Sequence, residues 1–377
     1  MINIFQPTLG QKELNEISKV FESNWIGKGE YVDRFEKLFA ANLESNSKHF
    51  TSTTSCTEGI FLAADIFEFK PGDEIIVPSI SFPSVASAVI SKGAKLVLCD
   101  VDKSTLNVTS NNIEKVISLN TKAVFITHYG GVPCDMDSIL SLCKKNDIKI
   151  IEDSACAVKS FYKGKACGTI GDMGIWSFDA MKTLCTGDGG MIYLKSLDNV
   201  KFAKEFLYLG LPVKSKSGMD SSSREANWWE FEVNMPGRRA IMNNIAGALG
   251  CIQMEKLSSF LDKRKIIFDR YYNELKDVEW INIPKRPNFN FESSYYFFWI
   301  QTKFRDQLAQ HLLNHDIYST FRYWPLHKIE IFNKNEEFFP NSEYASERTL
   351  NIPLHQSLTD DDVDKVIRTI KSFRGNK

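Results

Sequence analysis

The chain has 377 residues, with 46 Lys+Arg against 47 Asp+Glu and a formal net charge of -1. Neither that balance nor any long basic run supplies the phosphate-neutralising surface of a nucleic-acid binder. A content of 43% hydrophobic residues with 21 Gly and 12 Pro excludes a disordered or low-complexity chain, and at roughly 100–200 residues per domain the length predicts about two domains.

The first segment, MINIFQPTLGQKELNEIS, has no basic stretch followed by an apolar run, and nowhere do about 18 apolar residues follow one another, so neither a signal peptide nor a membrane span is predicted. The eight cysteines form no C-x-x-C pair and read as reduced thiols of a cytoplasmic protein, not as a disulfide framework or a zinc site. Residues 11–21 carry Leu14, Ile17, Val20 and Phe21 at helical spacing, and a second helix is predicted around Val32, Phe35, Leu38 and Phe39. From residue 50 to 195 short apolar runs (74–78, 95–100, 123–128, 148–153, 174–178 and 190–194) alternate with helical segments such as 57–67, 83–92 and 136–146. That alternation predicts βαβ units, a largely parallel sheet and an α/β fold. A Ser-rich interval at 214–227 reads as a surface loop and 241–275 as a long helix. The last third offers a strand at 294–302, a helix at 304–314 and a final helix at 361–373, a smaller α+β unit. The expected division is a large domain over 1–245 and a small one over 246–377.

Ligands of open α/β sheets sit beyond the carboxyl ends of the strands. Neither G-x-G-x-x-G nor G-x-x-x-x-G-K-[ST] follows a strand here, so another anion site is needed. TSTTSCTEGIF (51–61) places small hydroxyl residues where an apolar helix begins; Ser55 or Thr57 is either a helix cap or part of a phosphate site. IIEDSACA (150–157) puts Glu152 and Asp153 at a strand end, where a buried carboxylate needs a cationic or hydrogen-bonding partner. Lys182 lies between two predicted strands in a small-residue, apolar context flanked by Ser177 and by Gly187, Gly189 and Gly190. It reads either as a surface lysine snorkelling from a loop or as a desolvated lysine of lowered pKa suited to Schiff-base chemistry. Together these residues match what pyridoxal 5'-phosphate requires: Lys182 for its carbonyl, Asp153 for its ring nitrogen, the 55–57 turn with Ser177 for its phosphate, and Phe82 to stack on the ring.

The ordered set NWIGKGEYVDRFEKLFA (24–40), SCTEGI (55–60), PGDEIIVPSISF (71–82), GAKLVLCDVD (93–102), THYGGVPCDMD (127–137), IIEDSACA (150–157), YKGKACGTIGDMGIWSFDAMK (162–182), TGDGGMI (186–192) and AGALGCIQMEKL (246–257) resembles the DegT/StrS-type sugar aminotransferases. The resemblance implies a fold-type I architecture with a mostly parallel seven-stranded sheet, a homodimer with the active site at the subunit interface, and glutamate-driven amination of a nucleotide-linked ketosugar. SCT, HYxGVxCxMD and YKGxAxGTIG further resemble enzymes that make 4-amino-4,6-dideoxyhexoses on dTDP. By this resemblance Lys182 and Asp153 are catalytic, Phe82 stacks on the coenzyme, and Cys56, Thr57 and Ser177 contact its phosphate. Two positions depart from the family pattern. Cys156 stands where His or Gln often lines the other ring face, and Arg239 takes the place of an Asn in a G-[YF]-N-[YF]-R segment that reaches the partner's phosphate site. Trp25, His128, Arg322, Tyr323 and His327 are candidate substrate residues, each equally readable as packing or hydrogen-bonded structure. Two rivals are a sugar dehydratase, in which His replaces the Schiff-base lysine, and a catalytically silent ketosugar-binding protein on the same fold.

Overall fold

Residues 1–212, 232–332 and 337–374 are described by the computed structural model of the chain. The apolar runs form β1 (Phe50–Thr53), β2 (Glu74–Pro78), β3 (Lys95–Cys99), β4 (Thr121–Thr127), β5 (Lys149–Asp153), a short hairpin β6 (Phe161–Tyr162) and β7 (Lys165–Ala166), then β8 (Met173–Ser177) and β9 (Gly190–Leu194). Seven of them make one sheet in the order β1-β9-β8-β5-β4-β2-β3. From β8 to β3 all neighbours are parallel, and β9 runs antiparallel to both β8 and β1. The predicted class and strand count are therefore met. The central strands are apolar on both faces because helices cover both.

Before and between the strands run α1 (Gln11–Glu22), α2 (Glu30–Asn42), α3 (Cys56–Ile66), α4 (Pro83–Ser91), α5 (Ser110–Glu114), α6 (Met136–Lys145) and α7 (Leu197–Phe206). The long helix α8 (Asn244–Leu275) starts three residues later than the periodicity predicts, because Asn243 caps it by accepting from the Ala246 N–H at 3.0 Å. Its first half packs with α2 around Phe35, Phe39, Trp176 and Phe178, a cluster of edge-on rings. Its second half packs through Ile267, Phe268 and Tyr271 against the C-terminal elements. These are β10 (Phe291–Glu292), which pairs with the hairpin, β11 (Phe298–Gln301), α9 (Arg305–Leu313), α10 (Pro340–Arg348), β12 (Thr349–Ile352) and α11 (Asp360–Ser372). The predicted strand at 294–302 shortens to β11, paired with β12. The Ser-rich interval 214–227 lies outside the described residues. All eight cysteines are buried and free, and no described helix is long and apolar enough to cross a membrane.

Candidate active site

The parallel strands deliver their chemistry to one edge. Asp153 ends β5, Ser177 ends β8, Phe82 caps α4 four residues beyond β2, and Cys56 opens α3 after β1. Successive strand residues point to opposite faces, and this separates the two adjacent carboxylates. Glu152 is wholly buried behind the site, where it accepts from the backbone N–H of Gly168 (2.7 Å), Ile170 (2.7 Å) and Gly171 (2.6 Å) and from His128 Nε2 (2.9 Å). Asp153 faces the site, held by the Ala155 N–H at 3.1 Å. Burial pushes the Asp153 carboxyl above its usual value, against the opposing pull of the Ala155 N–H and Lys182.

At the head of α3 the Ser55 hydroxyl accepts from Glu58 N–H at 3.1 Å, while the Cys56 and Thr57 N–H groups have no intrahelical partner. Thr57 is exposed and Cys56 buried. Only glycine fits at position 190, opposite Ser177, because a Cβ there would stand 2.8 Å from the Ser55 carbonyl and the Cys56 nitrogen. The close approach brings the helix terminus beside the end of β8. Phe82 is 46% exposed, and one side of its ring meets Tyr323 edge-on at 5.6 Å.

Lys182 Nζ lies 3.7 Å from Cys156 Sγ and 5.0 Å from the centre of the Tyr296 ring, and Cys156 Sγ lies 3.8 Å from the Tyr323 hydroxyl. Burial draws the Lys182 pKa down, but the Cys156 sulfur and the Tyr296 and Tyr323 hydroxyls favour the ammonium and hold it well above the ordinary value. This corrects the expectation of a lowered pKa, which followed from desolvation alone. Cys156 stands beside Lys182, its thiol pushed up by burial.

The remaining candidates divide. Tyr323 belongs to the site. His128 does not: it is fully buried, its Nδ1 accepts from Cys134 N–H at 3.2 Å, and its Nε2–H donates to Glu152. His327 is a buried bridge between Ser79 (2.5 Å) and Glu343 (2.9 Å). Trp25 donates to the Lys28 carbonyl at 2.9 Å. Arg239 is exposed, with its guanidinium over the Tyr208 ring at 5.2 Å, whereas its neighbour Arg238 is paired with Glu58 and Asp65. Within one chain, none of these Arg239 contacts is to a site residue. Sequence reasoning missed Tyr296, because SYYFFWIQT (294–302) offers no way to choose among its aromatics.

The profile of the DegT/DnrJ/EryC1/StrS aminotransferase family matches residues 7–371. The chain belongs to that family. Among relatives of this DegT/DnrJ/EryC1/StrS member, dTDP-4-dehydro-2,3,6-trideoxy-D-glucose 4-aminotransferase of Saccharopolyspora spinosa is 42% identical over 97% of this chain and 95% of its own length. Spore coat polysaccharide biosynthesis protein SpsC of Bacillus subtilis is 33% identical over 97% and 95%. The crystal structure of the aminotransferase TlmJ from Streptoalloteichus hindustanus superposes with a TM-score of 0.93 at 42% identity, covering 99% of this chain and 98% of that one. As a DegT/DnrJ/EryC1/StrS aminotransferase the chain is a transaminase that uses pyridoxal 5'-phosphate.

The residues present fit that coenzyme. A buried carboxylate raised by desolvation calls for a cation such as a protonated ring nitrogen, a primary amine stands nearby, an aromatic face is half open, and a helix N-terminus with hydroxyls suits a phosphate. Phe82 gives a direct check. Phe82→Ala is expected to weaken coenzyme affinity about 2- to 10-fold, the equivalent of one aromatic stacking contact of ~0.5–1.5 kcal/mol. The melting temperature of the apoprotein should barely change, since the ring is half exposed. Absorbance titration with coenzyme and a thermal melt read the two effects separately.

Proposed function

We propose that this enzyme moves an amino group from L-glutamate to a nucleotide-linked 3- or 4-keto-6-deoxyhexose, in the cytoplasm and as a homodimer with its active site at the subunit interface. The observation that carries the reading is the convergence of Lys182, Cys156, Tyr296 and Tyr323 beside the carboxyl ends of the strands that bear Asp153 and Ser177. A C4 ketone carried on dTDP is favoured by the reaction named for the Saccharopolyspora relative. The coenzyme-binding domain would span 1–245 and the small domain 246–377.

Bound pyridoxal phosphate supplies an electrophilic carbon for the incoming amine and an electron-withdrawing ring. In this reading Cys56, Thr57 and Ser177 hold its phosphate, Phe82 and Cys156 flank its ring, and the Asp153 carboxylate holds a proton on the ring nitrogen. Lys182 Nζ, as the neutral amine, would take a proton from the donor α-carbon, and in the second half-reaction would return one to the sugar carbon that bore the ketone. Arg239, exposed on each subunit, reaches the partner's coenzyme phosphate or the sugar nucleotide's phosphates.

The test is incubation of holoenzyme with glutamate and a panel of dTDP-, UDP- and GDP-linked 3- and 4-ketosugars, with products identified by mass spectrometry and NMR. Glutamate should bleach the visible coenzyme band, and a ketosugar should restore it with formation of an aminosugar. A panel that yields no aminosugar would refute the substrate class. Arg239→Ala with unchanged coenzyme retention and unchanged substrate KM would remove both roles given to that residue.

A further inference from the structure

Arg322 stands at the rim of the site with its backbone fixed from two sides. Its N–H donates to Asn351 Oδ1 at 2.8 Å, and its carbonyl accepts from the Tyr129 hydroxyl. The guanidinium lies over the Phe5 ring at 5.1 Å, Phe5 stacks on Tyr296 at 5.2 Å with 13° between the ring planes, and the Lys182 amine sits 5.0 Å from that same Tyr296 ring. One Nη donates to Met181 Sδ at 3.3 Å, on the residue directly before Lys182. A thioether is a weak acceptor. Among the described residues Arg322 makes no ion pair with a carboxylate, so a planar fork of donors lies on Phe5 and beside Met181 with its charge unmatched. Two other arginines show the contrast. Arg264, whose guanidinium also lies over the Tyr296 ring at 5.9 Å, is buried and spends its donors on the carbonyls of Tyr295, Tyr296 and Leu354 and on Gln356. Arg238 is paired with Glu58 and Asp65.

We infer that Arg322 binds the carboxylate of the amino-acid donor and thereby sets the donor's α-carbon against Lys182. The inference rests on the donor being an amino acid such as glutamate, as proposed above. The chemistry recognised is a compact oxyanion that accepts two parallel N–H bonds, which a carboxylate and a phosphate share. Position decides between them. The α-carboxylate is one bond from the carbon that Lys182 must deprotonate, and Arg322 touches the neighbour of Lys182. The diphosphate of a sugar nucleotide is separated from its reacting ketone by the hexose ring.

The experiment compares wild-type holoenzyme with Arg322→Ala and Arg322→Lys in the two half-reactions, followed by coenzyme absorbance, and titrates each protein with maleate, a dicarboxylate that cannot react. For Arg322→Ala the glutamate KM and the maleate Kd should both rise about 10- to 100-fold, the loss expected for a charged hydrogen-bonding partner. The limiting rate with glutamate should change less than about threefold, the ketosugar KM less than about twofold, and Arg322→Lys should recover part of the loss. A ketosugar KM that rises while glutamate and maleate are unaffected overturns the inference in favour of the diphosphate. Unchanged values throughout overturn any anion role. If glutamate fails to convert the wild-type coenzyme, the glutamate reading falls instead, and maleate binding still decides Arg322: weakening in the alanine variant supports it, and no difference or no binding refutes it.

Discussion

Lys182→Ala is expected to abolish transamination, lowering turnover by ~10⁴-fold or more, since one amine supplies both the covalent link and the proton transfer. The same variant should retain coenzyme without the wild-type visible band. The fold should persist, because Lys182 is partly buried and makes no ion pair among the described residues; its polar neighbour is the Cys156 thiol at 3.7 Å. Dead chemistry in a variant that still melts cooperatively separates a catalytic from a structural role. Lys182→Arg makes the complementary test. It keeps the cation over Tyr296 but puts a guanidinium in place of the primary amine that can condense with a carbonyl, and it should be as inactive as the alanine variant. A Lys182→Ala enzyme that still turns over with glutamate would refute the assignment. The rivals are also addressed: a dehydratase carries His at this position, and a silent binding protein would show no loss because it had no activity to lose.

The elements that place this lysine were legible because their signals are local. IKIIED (148–153) is an apolar run of strand length, and the structure forms β5 over Lys149–Asp153. Helix starts were read to within a few residues from apolar periodicity, and Ser55, one of two caps the sequence offered, does cap α3. The C-terminal third was less legible. α10 (PNSEYASER) is short and polar, and β12 (TLNI), which follows it directly, spans four residues, so neither carries a periodicity long enough to register. Within the site the limit is different. Sequence put Glu152 and Asp153 at one strand end, yet only the period-two geometry with neighbouring strands sends Asp153 forward and turns Glu152 back to His128 and the 168–171 backbone. The apolar, small-residue context of Lys182 offered desolvation as one of two readings, but the sign of its pKa shift was not legible, because the groups that decide it, Cys156, Tyr296 and Tyr323, are brought together from distant segments. The unmatched charge of Arg322 is equally non-local, since whether a rim arginine finds a carboxylate depends on every segment that reaches the rim.

Asp153→Asn carries the second large effect, and its sign reverses between apoprotein and holoenzyme. In the holoenzyme, asparagine cannot hold the proton on the ring nitrogen, and turnover should fall ~10²- to 10³-fold, comparable to loss of one preorganised electrostatic contact. In the apoprotein the same change should stabilise. Burial raises the Asp153 pKa above the usual 3.8, so the folded apoprotein binds this proton more tightly than the unfolded chain does. By linkage, stability from this group falls as pH rises from the unfolded value to the raised folded one and stays reduced above it. Asparagine, close to aspartate in shape, keeps an oxygen to accept the Ala155 N–H now 3.1 Å from Oδ1 and has no charge to desolvate. The melting temperature of the apo variant at pH 7 should therefore exceed that of apo wild-type, and the gap should narrow as pH is lowered from 7 toward 4 and the wild-type carboxyl takes up its proton in the folded state. Coenzyme should raise the melting temperature of wild-type more than that of the variant, because only the carboxylate gains a cationic partner. Thermal melts of both proteins, with and without pyridoxal phosphate across that pH range, decide the matter. An apo variant that melts below wild-type at pH 7, or an equal gain from coenzyme in both proteins, would show that Asp153 is not the partner of the ring nitrogen.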